Sequence, residues 1–307
     1  MRRPRLSIIV NFHDMAREAA RTLHTLSSRY QRGVAEDAYE VIAIDHGSHA
    51  PLDAAMVRSH GPGFRLISHA PETAPRSPAA AINAAVRQSA GEAVAVCIDG
   101  ARMLSPGIVR FTLAALDAFP DPVVATLAWH LGTTLQNESM LAGYDQGVED
   151  RLLESIDWRA DGYELFRVSC LAGSSGQGWF MPIAESNFLT MRRALFDRLD
   201  GMDSRFHEPG GGLVGLDFYR RACETAGDLV VLLGEGTFHQ FHGGVATNVP
   251  AARHPYGQFH DEYMRIRGVP FVPPSRQACY LGFVPPQCLP FLALSAQWAQ
   301  TAAGIPA

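Results

Sequence analysis

Short runs of β-branched and apolar residues alternate with helix-like segments through the first half of the chain. This alternation constrains the fold more than any other feature, because it is typical of βαβ units and a mostly parallel sheet. The apolar run at 6–10 predicts the first strand, and alanines and leucines at helical spacing predict a helix over 15–28. Further strands are predicted at 39–44, 64–68, 93–98, 123–128, 187–191 and 229–233, and further helices at 78–89, 106–119, 148–156 and around Asp217. We therefore expect an α/β fold with a mostly parallel central sheet flanked by helices.

The last part of the 307-residue chain has a different character. After Pro250 the sequence is rich in proline and shows neither a helical nor a strand period. We interpret residues 1–248 as the α/β domain and residues 249–307 as a Pro-rich C-terminal extension, not as a second catalytic domain.

Charge and cysteine content exclude several classes of protein. All 26 basic residues are arginine, so the chain has no lysine for a P-loop, a Schiff base or a general base. The net charge of −5 argues against nucleic acid as the main partner. Five cysteines without a CxxC pair favour neither a disulfide framework nor a structural zinc site. No apolar run approaches the roughly 18 residues of a membrane span, so we expect a cytoplasmic or membrane-peripheral protein.

Polar side chains follow the predicted strands where each strand ends. Asn11 and His13 follow the first strand, Asp45 ends the second, and Asp99 follows the fourth. Ligands of open parallel sheets bind at this carboxyl edge, where an aspartate can contact a nucleoside or a metal ion. Each aspartate also fits a simple turn or helix cap. No glycine-rich turn follows the first strand, which disfavours dinucleotide-binding enzymes and typical methyltransferases.

Five segments of the sequence resemble, in their order and spacing, the nucleotide-binding half of the family 2 glycosyltransferases of GT-A fold. The resemblance runs from about residue 5 to residue 242. The matching segments are Ser7-Ile8-Ile9-Val10-Asn11, Ile44-Asp45-His46-Gly47-Ser48, the helix around Asn83, Gly201-Met202-Asp203-Ser204-Arg205-Phe206 and Asp217-Phe218-Tyr219-Arg220-Arg221. The resemblance implies transfer of a sugar, with inversion, from a UDP- or GDP-type donor to a saccharide or glycan-precursor hydroxyl in polysaccharide biosynthesis. The donor-binding residues that we predict are Asn11, His13, Asp45, Asn83 and Asp99.

The metal motif of that family, Asp-x-Asp, is incomplete in this chain. It reads Asp99-Gly100-Ala101, so a methyl group replaces the second carboxylate. We predict that Asp99 instead holds Mn²⁺ or Mg²⁺ together with His242 or His239 and the donor diphosphate. Because residues three apart on a continuing strand face opposite sides, only one histidine is expected to be a ligand. Backbone groups that satisfy both imidazoles are the alternative.

The catalytic base is the second departure from the family pattern. The Glu-Asp pair that supplies the base aligns with Val214-Gly215, which cannot accept a proton. A shifted register makes Asp217 the base, with Glu208 in reserve and an arginine-paired or helix-capping carboxylate as the alternative role.

These departures keep a second function open. It is a catalytically impaired, glycosyltransferase-like protein that binds a nucleotide or glycan. A nucleotidyltransferase is a third reading, disfavoured because no glycine-rich loop with a basic residue follows the first strand. A Gly/Ser cluster at 173–178 predicts a mobile loop beside Trp179, which either stacks on a sugar ring or packs in the core.

Overall fold

The computed structural model describes residues 3–305. The strands are β1 (Leu6–Phe12), β2 (Tyr39–His46), β3 (Phe64–His69), β4 (Ala93–Cys97), β5 (Arg102–Leu104), β6 (Pro122–Leu131), β7 (Ser169–Leu171), β8 (Leu189–Arg192), β9 (Asp228–His239) and β10 (Ala278–Gly282). The helices are α1 (Ala16–Leu26), α2 (Ala54–Arg58), α3 (Ala79–Arg87), α4 (Ile108–Ala118), α5 (Gln136–Ser139), α6 (Gln146–Glu154), α7 (Arg193–Arg198), α8 (Val214–Thr225), α9 (Tyr256–Arg267) and α10 (Leu289–Ala302).

One sheet organises all of these elements. Its main path runs β10-β9-β6-β8-β4-β1-β2-β3, while β5 pairs with β9 and β7 pairs with β6. Only β8 runs antiparallel to its neighbours on this path; every other pairing along it is parallel. The predicted α/β class with a mostly parallel, helix-flanked sheet is confirmed.

Helices cover both faces of the sheet, which explains why the strands are apolar along their whole length. Every residue of β1 and of β6 is buried. Side chains of β1 alternate between two cores: Ile8 joins the core under α1 and α4, and Ile9 joins the core under α3 and α8. The central strands therefore form the most buried part of the molecule and fix the positions of their ends.

Strand β9 is longer than the sequence predicts. The pattern Gly234-Glu235-Gly236 indicates a strand end, yet the strand continues to His239. A register shift between Ala125 and Leu127 on β6 shows that the glycines form a bulge inside the strand. Gly236 is required there, because a Cβ atom would lie 2.1 Å from the Trp129 ring.

The segment after Pro250 contains regular structure, contrary to its interpretation as aperiodic. It forms α9, α10 and the edge strand β10, which pairs in parallel with β9. Phe259, Tyr263 and Cys288 are buried in the core shared with α3 and α8. The division at 248/249 stays a prediction. Within residues 3–305, no helix combines the length and apolar character that crossing a membrane requires.

Candidate functional site

The structure brings Asp99 together with both predicted histidines. Asp99 follows β4, His239 ends β9, and His242 lies in the turn beyond. One ligand atom from each of the three lies within 4.8 Å of the other two. Nε2 of His239 is 3.1 Å from Oδ2 of Asp99, and Nε2 of His242 is 3.8 Å from Oδ1. Strand β5 brings the two ends together, because its Arg102 pairs with His239 in the sheet.

Both imidazoles face Asp99, although strand alternation predicts that only one would. The reason is that β9 ends at His239, so the alternation no longer applies to His242. The backbone N–H groups of His242 and Gly243 donate instead to Oδ1 of Asn248, at 3.1 and 3.0 Å. The turn therefore carries His242 back towards the aspartate.

The cluster combines an ionised carboxylate with two imidazole rings. Burial opposes the charge of Asp99, but His239 and Arg102 outweigh it and hold the pKa of the carboxyl well below its ordinary value. Burial lowers the pKa of His239 to about 4 and that of His130 to about 2. Arg102, whose Nε lies 3.1 Å from Oδ2 of Asp99, is the permanent positive charge beside this carboxylate.

This set of donors fits a divalent cation. One carboxylate and two imidazoles are ligands that Mn²⁺ accepts, whereas Mg²⁺ prefers an all-oxygen shell. Ala101 adds no ligand: it is buried, and its carbonyl accepts a hydrogen bond from the Gln240 backbone at 2.8 Å.

The predicted donor-binding residues of β1 and β2 lie at the carboxyl edge of the same sheet. Asn11 is buried and donates to the Ile98 carbonyl at 3.2 Å, while its Oδ1 has no hydrogen-bond partner among residues 3–305. His13 is half exposed, with Nδ1 2.8 Å from the His46 carbonyl oxygen. Asp45 is buried, and its carboxylate accepts the backbone N–H of Ser48 at 3.2 Å and of Leu52 at 2.6 Å. The contacts of Asp45 match the turn alternative, and the donor-binding roles stay predictions.

Asn83 connects α3 to the segment that follows α7. Its side-chain amide donates to the Met202 carbonyl at 2.7 Å and accepts the Met202 N–H at 3.0 Å. A cavity of about 790 Å³ beside it lies between α3, α7 and residues 199–205. Arg221 and Arg267, which line this cavity, are paired with Asp217.

The two predicted bases have different surroundings. Asp217 is buried and is held by Arg221 through Nε at 2.8 Å and by Arg267 through Nε and Nη2, both at 2.6 Å. This is the arginine-paired arrangement named above as its alternative role. Glu208 is half-buried just before a short turn, in which the Gly210 N–H donates to the Arg76 carbonyl at 3.2 Å. A catalytic role for Asp217 or Glu208 stays a prediction.

Sequence reasoning missed a further carboxylate, Glu185. Burial raises the pKa of Glu185, and the charges of Arg102 and Asp99 act on it, so it belongs to the Asp99 neighbourhood. No periodicity marks this position, because it lies in the irregular segment before β8. Trp179 is buried and donates Nε1–H to the Leu232 carbonyl at 2.9 Å, so it is a core residue.

Comparison with known proteins supports the fold. No family model matches the sequence, and no curated protein matches it. Among solved structures, TarS 1-349 of S. aureus is similar, with a TM-score of 0.52 and 15% identity over 77% of this chain and 60% of that one. The complex of TarS 1-349 with UDP-GlcNAc has a TM-score of 0.52 at 15% identity, covering 78% of this chain and 59% of that one. The complex with UDP has a TM-score of 0.51 at 16% identity over 77% and 60% of the two chains. The chain thus spans about three fifths of these structures, which share its α/β fold.

Proposed function

We propose that this protein is a glycosyltransferase, which moves a sugar from a nucleotide-sugar donor to the hydroxyl of a saccharide or glycan precursor. The observation that carries the proposal is the convergence of Asp99, His239 and His242 at the carboxyl edge of the sheet. Similar structures of S. aureus TarS contain UDP or UDP-GlcNAc, which favours a uridine nucleotide as the first donor to test.

Transfer with inversion needs two kinds of assistance from the protein. The acceptor oxygen forms a bond to the anomeric carbon as the bond from that carbon to the diphosphate oxygen breaks. The acceptor proton passes to a carboxylate, and the electron pair leaves on the diphosphate. In a chain without lysine, arginines, helix N-termini and a cation must stabilise the diphosphate.

Asp99, His239 and His242 would hold the cation, for which we propose Mn²⁺ ahead of Mg²⁺. When bound, it would neutralise charge on the leaving diphosphate. Arg102 holds Asp99 in place, since its Nε lies 3.1 Å from Oδ2. The donor would meet Asn11, whose unpartnered Oδ1 is a hydrogen-bond acceptor at the same edge.

The base would be one of three carboxylates: Asp217, Glu208 or Glu185. Asp217 is paired with two arginines, whereas Glu185 lies within reach of the Asp99 and Arg102 charges. Comparing kcat for Asp217→Asn, Glu208→Gln and Glu185→Gln identifies the base. The correct variant loses kcat by about 100-fold or more while retaining donor affinity.

Calorimetry with UDP and GDP, with and without Mn²⁺, followed by assays for transfer and donor hydrolysis, tests the proposed function. We expect Mn²⁺-dependent binding of one nucleotide and release of its diphosphate from the sugar donor. Asp99→Asn should abolish the metal dependence, and the exposed Asp37→Asn is the matched control. Binding without turnover in any metal would favour the impaired, nucleotide- or glycan-binding alternative. Absence of nucleotide binding would refute both functions.

A further inference from the structure

We propose that Gln136 and Asn248 are positioning residues, which fix one tautomer of His239 and aim both imidazoles of the cluster at Asp99. The inference rests on the proposed cation site and adds two residues that do not touch Asp99. Gln136 is fully buried and Asn248 is nearly so. Neither stands out in the sequence, because Gln136 begins the short helix α5, Asn248 lies in a loop, and neither directly follows a strand.

The orientation of the Asn248 amide follows from its neighbours. Its Oδ1 lies 3.1 Å from the backbone nitrogen of His242, 3.0 Å from that of Gly243 and 3.1 Å from that of Gly244. Three N–H donors require an oxygen at this position. The Nδ2 group of Asn248 therefore points the other way, and it donates to Oε1 of Gln136 at 3.0 Å.

The orientation of Gln136 is fixed in the same manner. Its Nε2 lies 2.9 Å from the His239 carbonyl oxygen and 3.4 Å from that of Leu131, so the nitrogen must face these two acceptors. Its Oε1 then accepts from Asn248 and lies 2.6 Å from Nδ1 of His239. An oxygen at that distance requires a proton on Nδ1.

The proton on Nδ1 decides what His239 presents to Asp99. An imidazole that binds a cation carries one N–H, and with that proton on Nδ1 the lone pair of His239 is on Nε2. That lone pair lies 3.1 Å from Oδ2 of Asp99, with the Thr247 hydroxyl 3.2 Å away as a nearby donor. A lone pair and a carboxylate oxygen repel one another unless a cation or a proton lies between them. The arrangement therefore prepares both atoms for a shared cation.

Asn248 extends this control to His242. The three N–H groups that its Oδ1 accepts belong to the turn that carries the His242 ring. Nε2 of that ring is 3.8 Å from Oδ1 of Asp99. One buried amide thus orients one imidazole through Gln136 and places the other through the backbone. Outer residues of this kind set both the tautomer and the affinity of metal-binding histidines.

The first test reads the tautomer in the unmodified protein. Long-range ¹H–¹⁵N correlation spectra of protein labelled at its histidines should show a proton on Nδ1 of His239. Protonation at Nε2 alone would overturn the proposal without any variant.

The second test uses Gln136→Leu and Asn248→Ala with Mn²⁺ alone as the probe. Each variant should weaken Mn²⁺ binding by roughly tenfold or more and mix the His239 tautomers. Gln136→Glu keeps an acceptor for Nδ1–H but loses the N–H donors to the His239 and Leu131 carbonyls, so it should preserve the tautomer while lowering the melting temperature. Gln31→Leu is the matched control, because Gln31 is a buried glutamine bonded to the backbone of Thr25, Ser105 and Val109. It should lower the melting temperature without changing Mn²⁺ affinity.

The outcomes separate this inference from the proposed function. Unchanged Mn²⁺ affinity and tautomer in folded Gln136→Leu would overturn the positioning role, as would a wild-type protein that binds no Mn²⁺. The expected Mn²⁺ and tautomer changes without any sugar transfer would overturn the proposed function alone. If Gln136→Leu does not fold, Gln136→Glu and the wild-type spectrum still decide the matter.

Discussion

At the scale of single residues, the site combines side chains that the sequence marks with others that it does not. Asp99 was predictable because an acidic residue follows a buried apolar strand, and the two histidines follow a late strand in the same way. Glu185 and Gln136 were not predictable, since Glu185 lies in an irregular segment and Gln136 begins the four-residue helix α5, and the placement of both depends on tertiary packing. A polar residue directly after a strand is therefore informative in the sequence, whereas a site residue that lies in a loop has no sequence pattern that marks it.

Glu235 gives a prediction about pH at this scale. Its buried carboxyl accepts hydrogen bonds from Ser105, from the Tyr163 hydroxyl at 2.6 Å and from the Gly107 N–H at 3.1 Å. Burial nevertheless raises its pKa from 4.5 to about 7. The pKa of Glu235 is higher in the folded state than in the unfolded state, so the protonated carboxyl is the form that the fold favours. Its contribution to the free energy of unfolding is complete below about pH 4.5 and is lost as pH rises through about 7. Relative to Glu235→Gln, the wild-type free energy of unfolding should fall by about 3 kcal/mol across that interval.

Urea unfolding of both proteins at a series of pH values measures this difference. Glu36→Gln, at an exposed position, serves as the control and should follow the wild type at every pH. If the free energies of unfolding of wild type and Glu235→Gln change with pH in parallel, the expected ionisation of Glu235 is contradicted.

At the scale of elements, local sequence predicts the parallel core better than its later additions. The predicted strands at 39–44 and 93–98 correspond closely to β2 and β4, because buried β-branched runs bounded by polar residues have few alternatives. β9 was predicted too short, since Gly234 and Gly236 indicate a break where the structure has a bulge. β10 was missed because its neighbour β9 is distant in sequence and prolines interrupt the segments around it.

The contact between α8 and α9 gives the prediction at this scale. Arg267 on α9 binds the buried Asp217 on α8 through two nitrogens. Arg267→Leu leaves Asp217 with Arg221 as its remaining cation, so unfolding should cost about 3 kcal/mol less than in the wild type. Arg265→Leu removes an exposed arginine two positions away on the same helix and should change stability by less than about 0.5 kcal/mol. Equal urea midpoints for the two variants would show that the ion pair does not hold α9 in place.

At the scale of the whole molecule, the site forms because strands that are not neighbours on the main path of the sheet are brought together by β5. β4 and β9 are separated on the sheet by β8 and β6, yet β5 crosses to β9 and brings Asp99 to His239. The strand order follows from pairings between distant segments, which local patterns do not encode. The sequence therefore predicts which residues end strands, while the topology decides which ends meet.

The same topology predicts that the C-terminal segment is part of the folding unit. Removing residues 249–307 would take away β10 from the edge of β9, Phe259 and Tyr263 from the shared core, and Arg267 from Asp217. We expect residues 1–248 alone to lose cooperative unfolding and to bind a dye specific for exposed apolar surface, whereas a chain that ends at residue 303 should unfold like the full one. Calorimetric scans of the three proteins make the comparison. A cooperative transition for residues 1–248 near the full-length melting temperature would establish the predicted boundary at 248/249 instead, because a β9 edge without β10 would then be stable by itself.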